Sequence, residues 1–209
     1  MVAPRMLGPE VRSCYLQEVG FITAIGVQHD RTGTALARAL AIAKALGGLE
    51  QGGIELTPHQ EAVLDLSVEQ ALSPALRHVS STFVQVMLEQ GIPLEAVLTE
   101  LFLSGEVERT YRLLRLEGYA AQMAHHSPIS QYGQLSRADA YDHVDIAGRM
   151  RELVEHITSG AFAAEWDAES EADHPTLAKL REQALPRELV DWERELRQNL
   201  GEAAIKQET

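Results

Sequence analysis

Cysteine occurs once, at Cys14, in 209 residues. A lone thiol leaves no internal disulfide framework and no cysteine-rich zinc module, and it fits a reducing, cytoplasmic setting. Bases are scarce: 18 Lys and Arg stand against 31 Asp and Glu, a formal net charge of -13. Phosphate backbones and anionic membrane surfaces ask for clustered cations, so neither nucleic acid nor a membrane is an expected partner. No apolar run approaches the ~18 to 20 residues of a membrane span. The first residues lack the apolar stretch of a signal peptide. Three further motifs are missing: G-x-G-x-x-G after a strand, G-x-x-x-x-G-K-[ST], and G-x-S-x-G. The glycine cluster at 47–53 follows a helix pattern and has no phosphate-binding logic. No nucleotide site is legible.

What remains is a chain rich in helix formers. Ala and Leu supply 27 residues each, while aromatics make up 5%. The fold class this predicts is mainly α. One stretch disagrees. Residues 19–28 are apolar, partly β-branched and closed by a turn, which reads as a buried strand. No second strand is evident, so it is expected to be an orphan. Residues 1–18, broken by Pro4, Gly8 and Pro9, are expected to be irregular. Helices are predicted over 34–46, from Pro58 to about residue 72 with Thr57 as N-cap, and over 74–90 after a kink at Pro74. Further helices are expected over 94–104, 107–118, 120–124, 138–159, 166–171, 176–183 and 188–200. Residues 125–133 read as a loop with a capping serine, and 201–209 as a frayed tail. The acidic run from Glu165 to Asp173 reads as a solvated face.

Few residues carry chemistry. Asp65 and Glu69 stand four apart on a predicted helix and share one face, where like charges repel unless a cation sits between them. Oxygen-only ligands of this kind suit Mg²⁺, yet acidic pairs are also common on solvated helices. Glu100 lies in an apolar run and has Ser104 four residues on; a plain polar face of the helix is the better explanation on pattern alone. Lys44 near a helix C-terminus is explained by the macrodipole, or by contact with a substrate or cofactor. His125 and His126 are adjacent and cannot both face one metal on a regular element.

The ordered set of motifs resembles the C-terminal, helical part of ketol-acid reductoisomerase, also called acetohydroxyacid isomeroreductase. The resemblance is carried by Gln28-His29-Asp30-Arg31-Thr32-Gly33, by the segment Ala41 to Gly48, and by Asp65-Leu66-Ser67-Val68-Glu69-Gln70. It continues through Glu100, Ser127, Gln131-Tyr132-Gly133 and the segment Ile157 to Ala163. It implies a helical bundle of that family's knotted C-terminal type over 31–200. Residues 1–30 would be the edge of a cofactor-binding Rossmann domain that the chain otherwise lacks. The family reaction is an Mg²⁺-dependent alkyl shift coupled to NADPH reduction of an acetohydroxy acid, in branched-chain amino-acid synthesis. The resemblance places metal ligands at Asp65, Glu69 and Glu100, the active-site lysine at Lys44 and a substrate contact at Ser127. It also implies a homodimer, with NADPH used only if a Rossmann partner is supplied in cis or in trans. Two positions depart from the pattern. The family's catalytic histidine aligns with Pro9 or with nothing in this chain, and Ser104 replaces a metal-binding glutamate. Two alternatives therefore stand beside the enzyme: a non-catalytic dimerisation module, and a related oxidoreductase acting on a different substrate.

Overall fold

The computed structural model describes residues 1–184 together with 191, 194, 195, 197 and 198. The expected helix over 188–200, apart from those isolated positions, and the tail at 201–209 lie outside the described residues. The fold is mainly helical, as composition predicts. Two compact units divide the chain: Met1–Ser73 with Arg151–Gly160, and Pro74–Met150 with Ala161–Thr209.

The first unit opens with a three-stranded sheet of order β1-β2-β3. The strands are β1 (Val2–Pro4), β2 (Thr23–Ile25) and β3 (Gly53–Glu55). The expected orphan strand is thus shorter than 19–28 and has neighbours in its own chain. β1 pairs with it antiparallel and β3 parallel. Three-residue strands, one starting on a glycine, leave too little alternation to be legible.

α1 (Gly8–Gln17) occupies residues expected to be irregular. Gly8 and Pro9 open this helix, where the missing N–H of proline is no loss. α2 (Ala35–Ala45) follows a tight loop. The Asp30 carboxylate accepts the backbone N–H groups of Thr32, Gly33, Thr34 and Ala35 at 2.8 to 3.2 Å. Ala39 and Ala43 of α2 pack on Ile25 of β2, flanked by Val2 and Leu49.

α3 (Pro58–Ser67) begins with the predicted cap. Thr57 Oγ1 accepts the Gln60 N–H at 3.1 Å and Gln60 Oε1 accepts the Thr57 N–H at 2.9 Å, a reciprocal capping box. A π turn, Val68–Leu72, joins it without a break to α4 (Ser73–Glu89). Pro74 therefore makes no interruption, because the turn before it is widened and the carbonyl a proline would crowd has moved away.

In the second unit α5 (Leu94–Leu98) also runs into a π turn, Thr99–Leu103. α6 (Glu106–Glu117), α7 (Tyr119–Ala124) and α8 (Pro128–Leu135) follow. α8 lies where a loop was expected, and Pro128 starts it. α9 (Ile146–Thr158), which from Arg151 on belongs to the first unit, begins later than residue 138, its first turn held by Asp145 Oδ1 accepting the Gly148 N–H at 2.7 Å. Four acids of the run, Glu165, Asp167, Glu169 and Glu171, lie on α10 (Ala161–Glu171), longer than the helix expected over 166–171, and Asp173 follows it. Glu169 in it accepts the Leu177 N–H at 2.7 Å and so caps α11 (Pro175–Ala184). That backbone donor, above all, holds the Glu169 carboxyl below its ordinary range.

Gly48 shows how tightly α2 meets the sheet. A Cβ there would strike Thr23 Oγ1, lie 2.9 Å from Phe21 Cε2 and 3.1 Å from the Ala43 carbonyl. Phe21 and Thr23 are the two fully buried large side chains of the chain's described part. Gly48→Ala is therefore expected to destabilise the protein by about 1–3 kcal/mol through overpacking, read as a lower thermal midpoint. An unchanged midpoint would contradict the packing described.

Candidate acidic and lysine sites on the widened helices

In the first unit, Lys44 is the second-last residue of α2, exposed and with no ion pair among the described residues. Its place matches the macrodipole's preference for cations at a helix C-terminus. Asp65 lies in the last turn of α3, and Glu69 is the second residue of the following π turn. Both carboxylates are exposed and neither has a hydrogen-bond or ion-pair partner among the described residues. Two unpaired acids one turn apart repel each other, and a divalent cation removes that repulsion.

Glu61, one turn before Asp65, was passed over in the sequence. It is the buried acid of this helix, 9% exposed. Arg5, just after β1, reaches it at 2.6 Å through Nη1 and Oε1, while Glu61 Oε2 is buried with no partner. The available signal was Glu61 at N4 of a helix whose first turn was already capped by Thr57 and Gln60. An acid is not required there for capping.

The π turn itself has a chemical reason. A widened turn leaves one carbonyl further from its usual donor, and Ser73 takes it twice. Its N–H bonds Val68 O, and its hydroxyl donates to the same oxygen at 2.9 Å. The second unit repeats the pattern. Glu100 is the second residue of the π turn Thr99–Leu103, and Ser104 closes it, donating its N–H to Thr99 O at 2.8 Å. π turns recur at functional sites because they re-aim single side chains.

Glu100 is exposed. Ser104 adds no ligand to it. Its hydroxyl donates to the Glu100 carbonyl at 3.3 Å and accepts the Glu106 N–H at 3.2 Å, and its carbonyl accepts from Arg109 at 2.7 Å. Ser127 is the N-cap of α8, its Oγ accepting the Ser130 N–H at 3.4 Å. That use leaves its O–H hydrogen available to a ligand oxygen.

Next to it, His125 pairs with Glu117 at 2.7 Å. The His126 ring lies between Gln122 at 2.8 Å and Ser130 at 3.3 Å. Each histidine is thus held by residues of the flanking helices α6, α7 and α8, not by the other histidine. Among the described residues, neither unit brings three or more His, Cys, Asp or Glu side chains together as a metal cage. An Asp–Glu pair with waters is the Mg²⁺ type of site, since that ion takes one or two protein carboxylates. The donor chemistry of Asp65 and Glu69 fits it. No described helix is long and apolar enough to cross a membrane.

Residues 59–202 match the family model "Ketol-acid reductoisomerase, C-terminal domain", and residues 1–52 match "Acetohydroxy acid isomeroreductase, NADPH-binding domain". A protein of Saccharolobus solfataricus that carries the name of a ketol-acid reductoisomerase is 37% identical over 199 residues, covering 94% of this chain and 59% of that protein. A ketol-acid reductoisomerase (NAD(P)(+)) of Metallosphaera sedula is 33% identical, covering 86% of this chain and 53% of its own length. Among solved structures, an NADH-preferring ketol-acid reductoisomerase from an uncultured archean superposes with a TM-score of 0.79 at 28% identity. The match covers 89% of this chain and 56% of that one. The chain spans between half and three-fifths of the length of these relatives.

The loop before α2 offers a direct test of the local electrostatics. Desolvation by neighbouring groups raises the exposed Asp30 carboxyl, and the N–H donors of Ala35, Thr32, Gly33 and Thr34 together outweigh it and hold the group below its ordinary 3.8. A depressed carboxylate stabilises the fold above its unfolded value, and that stability is lost as pH falls through the folded one. Asp30→Asn is expected to lower the thermal midpoint at pH 7, with the gap to wild type closing below about pH 4. A gap that does not depend on pH would contradict this.

Proposed function

The chain belongs to the ketol-acid reductoisomerase family, and on that premise we propose that it supplies the metal- and substrate-binding half of an enzyme that isomerises and reduces a 2-acetohydroxy acid, in branched-chain amino-acid biosynthesis. The observation that carries the proposal is the pair Asp65 and Glu69, exposed and unpaired around the start of a π turn. In this reading the two carboxylates hold Mg²⁺ and Glu100 is a further ligand. The bound ion supplies Lewis acidity to the substrate's carbonyl and hydroxyl oxygens.

The chain's own groups do the rest. Lys44 presents an ammonium that hydrogen-bonds a substrate oxygen. Ser127, its lone pair taken by the Ser130 N–H, donates its hydroxyl hydrogen to another. Glu61 stays buried against Arg5, which fixes the start of α3 and hence the placement of Asp65 one turn on. Residues 1–30 are read as the edge of a cofactor-binding sheet, with the helical part following. NADPH is bound by further parts of that domain, in the same chain or in another. The assembly is a homodimer, and its setting is cytoplasmic.

Ser104 favours a second reading. Its hydroxyl is bonded on both sides to backbone, so one acid expected at that position has become a turn closer. With Pro9 or nothing in place of a histidine, this fits a helical module that pairs copies without catalysis. An oxidoreductase with a different substrate would rest on the changed surroundings of Ser127, where His125 and His126 stand.

Mg²⁺ titration separates them. A ligand that binds only the folded state at a hundred times its Kd stabilises it by about 2.7 kcal/mol. Millimolar Mg²⁺ is expected to raise the thermal midpoint of wild type and not of Asp65→Asn or Glu69→Gln. In metal-free buffer Asp65→Asn is expected to gain roughly 0.2–0.5 kcal/mol, the size of a like-charge pair at this spacing. No rise with Mg²⁺, or a metal-free loss in Asp65→Asn, would leave the pair as a solvated face and favour the module.

A further inference from the structure

Arg5 spends little of its hydrogen-bonding capacity. It directly follows β1, and its backbone N–H donates to Ile22 O at 2.9 Å, so the sheet fixes where its side chain starts. Its Nη1 donates to Glu61 Oε1 at 2.6 Å. Among the described residues that is the one bond the guanidinium makes, out of five N–H donors.

The contact is not that of a purely structural ion pair. A guanidinium that serves only to hold a buried carboxylate meets it fork to fork, with two parallel N–H groups on two oxygens. Here Glu61 Oε2 is buried with no partner, and Arg5 touches the other oxygen alone. Bonding through Nη1 leaves whole the edge made by Nε and Nη2, which carries two parallel N–H groups. The Arg5 side chain is 27% exposed and that of Glu61 11%, so Arg5 is the member a solute reaches.

The surroundings select the solute. Glu61, Asp65 and Glu69 recur every four residues, so an anion approaching this helix meets three acids in a chain of net charge -13. A cation beside them makes that approach favourable. The substrate class proposed above is an acid. The metal acts on its carbonyl and hydroxyl oxygens, and Lys44 and Ser127 each hold one oxygen. None of these matches both oxygens of a carboxylate. An ammonium is a point charge, whereas a guanidinium edge fits a carboxylate in two bonds.

We propose that Arg5 binds the substrate's carboxylate through its Nε–Nη2 edge while Nη1 stays on Glu61. This rests on the enzyme reading above and adds the group that selects a 2-hydroxy acid over its neutral counterpart.

The probes are 2-hydroxy-2-methylpropanoate, which carries the carboxylate and tertiary hydroxyl and has nothing to reduce, and its amide, of the same shape without the charge. In calorimetric titrations of the full chain with saturating Mg²⁺, the acid is expected to bind about ten-fold tighter than the amide, the size of a charge-assisted hydrogen bond. Removing Arg5 alone leaves Glu61 buried without its partner and endangers the fold. The variant is therefore Arg5→Met combined with Glu61→Gln, with helical circular dichroism as the check on folding. Its acid-to-amide ratio is expected to fall to about two or less. Arg5→Lys keeps a cation on Glu61 and loses the fork, and an intermediate ratio is expected; it answers the same question where the double variant does not fold. Loss of a merely structural pair weakens acid and amide alike and leaves the ratio unchanged. A wild type without preference, or a ratio equal in wild type and both variants, overturns the assignment of Arg5. The Mg²⁺-induced rise in thermal midpoint judges the metal reading separately. With that rise present the reading stands even where Arg5 falls, and without it the reading falls and takes the assignment with it.

Discussion

The widened turn at Val68–Leu72 governs more of this chain than any other single feature. A π turn leaves a carbonyl short of its normal donor, and here Ser73 satisfies Val68 O with both its N–H and its hydroxyl. With that bond made, helical turns run from Pro58 to Glu89 across a proline that would otherwise end them. Glu69 sits on the widened turn, directly after Asp65 on the regular one. The same device recurs at Thr99–Leu103, where Glu100 holds the second position and Ser104 closes the turn. Two acids proposed for the metal are therefore carried by the same local backbone geometry, each with a serine four residues on.

Seen this way, Ser104 has a positive role. Its backbone N–H closes the turn, as that of a glutamate would, while its hydroxyl bonds the Glu100 carbonyl and the Glu106 N–H where a glutamate would offer a free carboxylate. The exchange trades a ligand for a local hydrogen bond, which bears directly on whether this chain is a catalyst or a pairing module. Core packing bears on the same question. The described buried apolar residues are few and several are alanines; Ile25, Ala39 and Ala43 cluster where α2 meets the sheet, and Ala71, Val97, Met123 and Ile157 lie elsewhere. A chain that buries so little of its own surface draws stability from what covers it.

Much of this was legible in the sequence, for identifiable reasons. α2 and α3 announced themselves through Ala/Leu content, and α3 also through the Thr57–Pro58–Gln60 start, whose capping box the structure contains. β2 was legible as an apolar strand, but its partners were not, because three-residue strands carry no periodicity. Gly8-Pro9 and Ser127-Pro128 were taken as loop signals although each opens a helix. The same residue types serve both purposes, and only the backbone conformation decides between them. Asp65, Glu69, Glu100, Lys44 and Ser127 are candidates drawn from resemblance more than from spacing. Glu61 was missed because a buried acid looks like any other until its Arg5 partner, 56 residues away, is in place.

The most direct measurement is electron paramagnetic resonance of Mn²⁺, a stand-in for Mg²⁺ whose free six-line signal vanishes on binding. The account predicts that wild-type chain removes about one equivalent of free signal, that added Mg²⁺ restores it, and that Glu69→Gln removes far less. Undiminished free Mn²⁺ with wild type, or equal binding by wild type and Glu69→Gln, would contradict a metal site at Asp65 and Glu69.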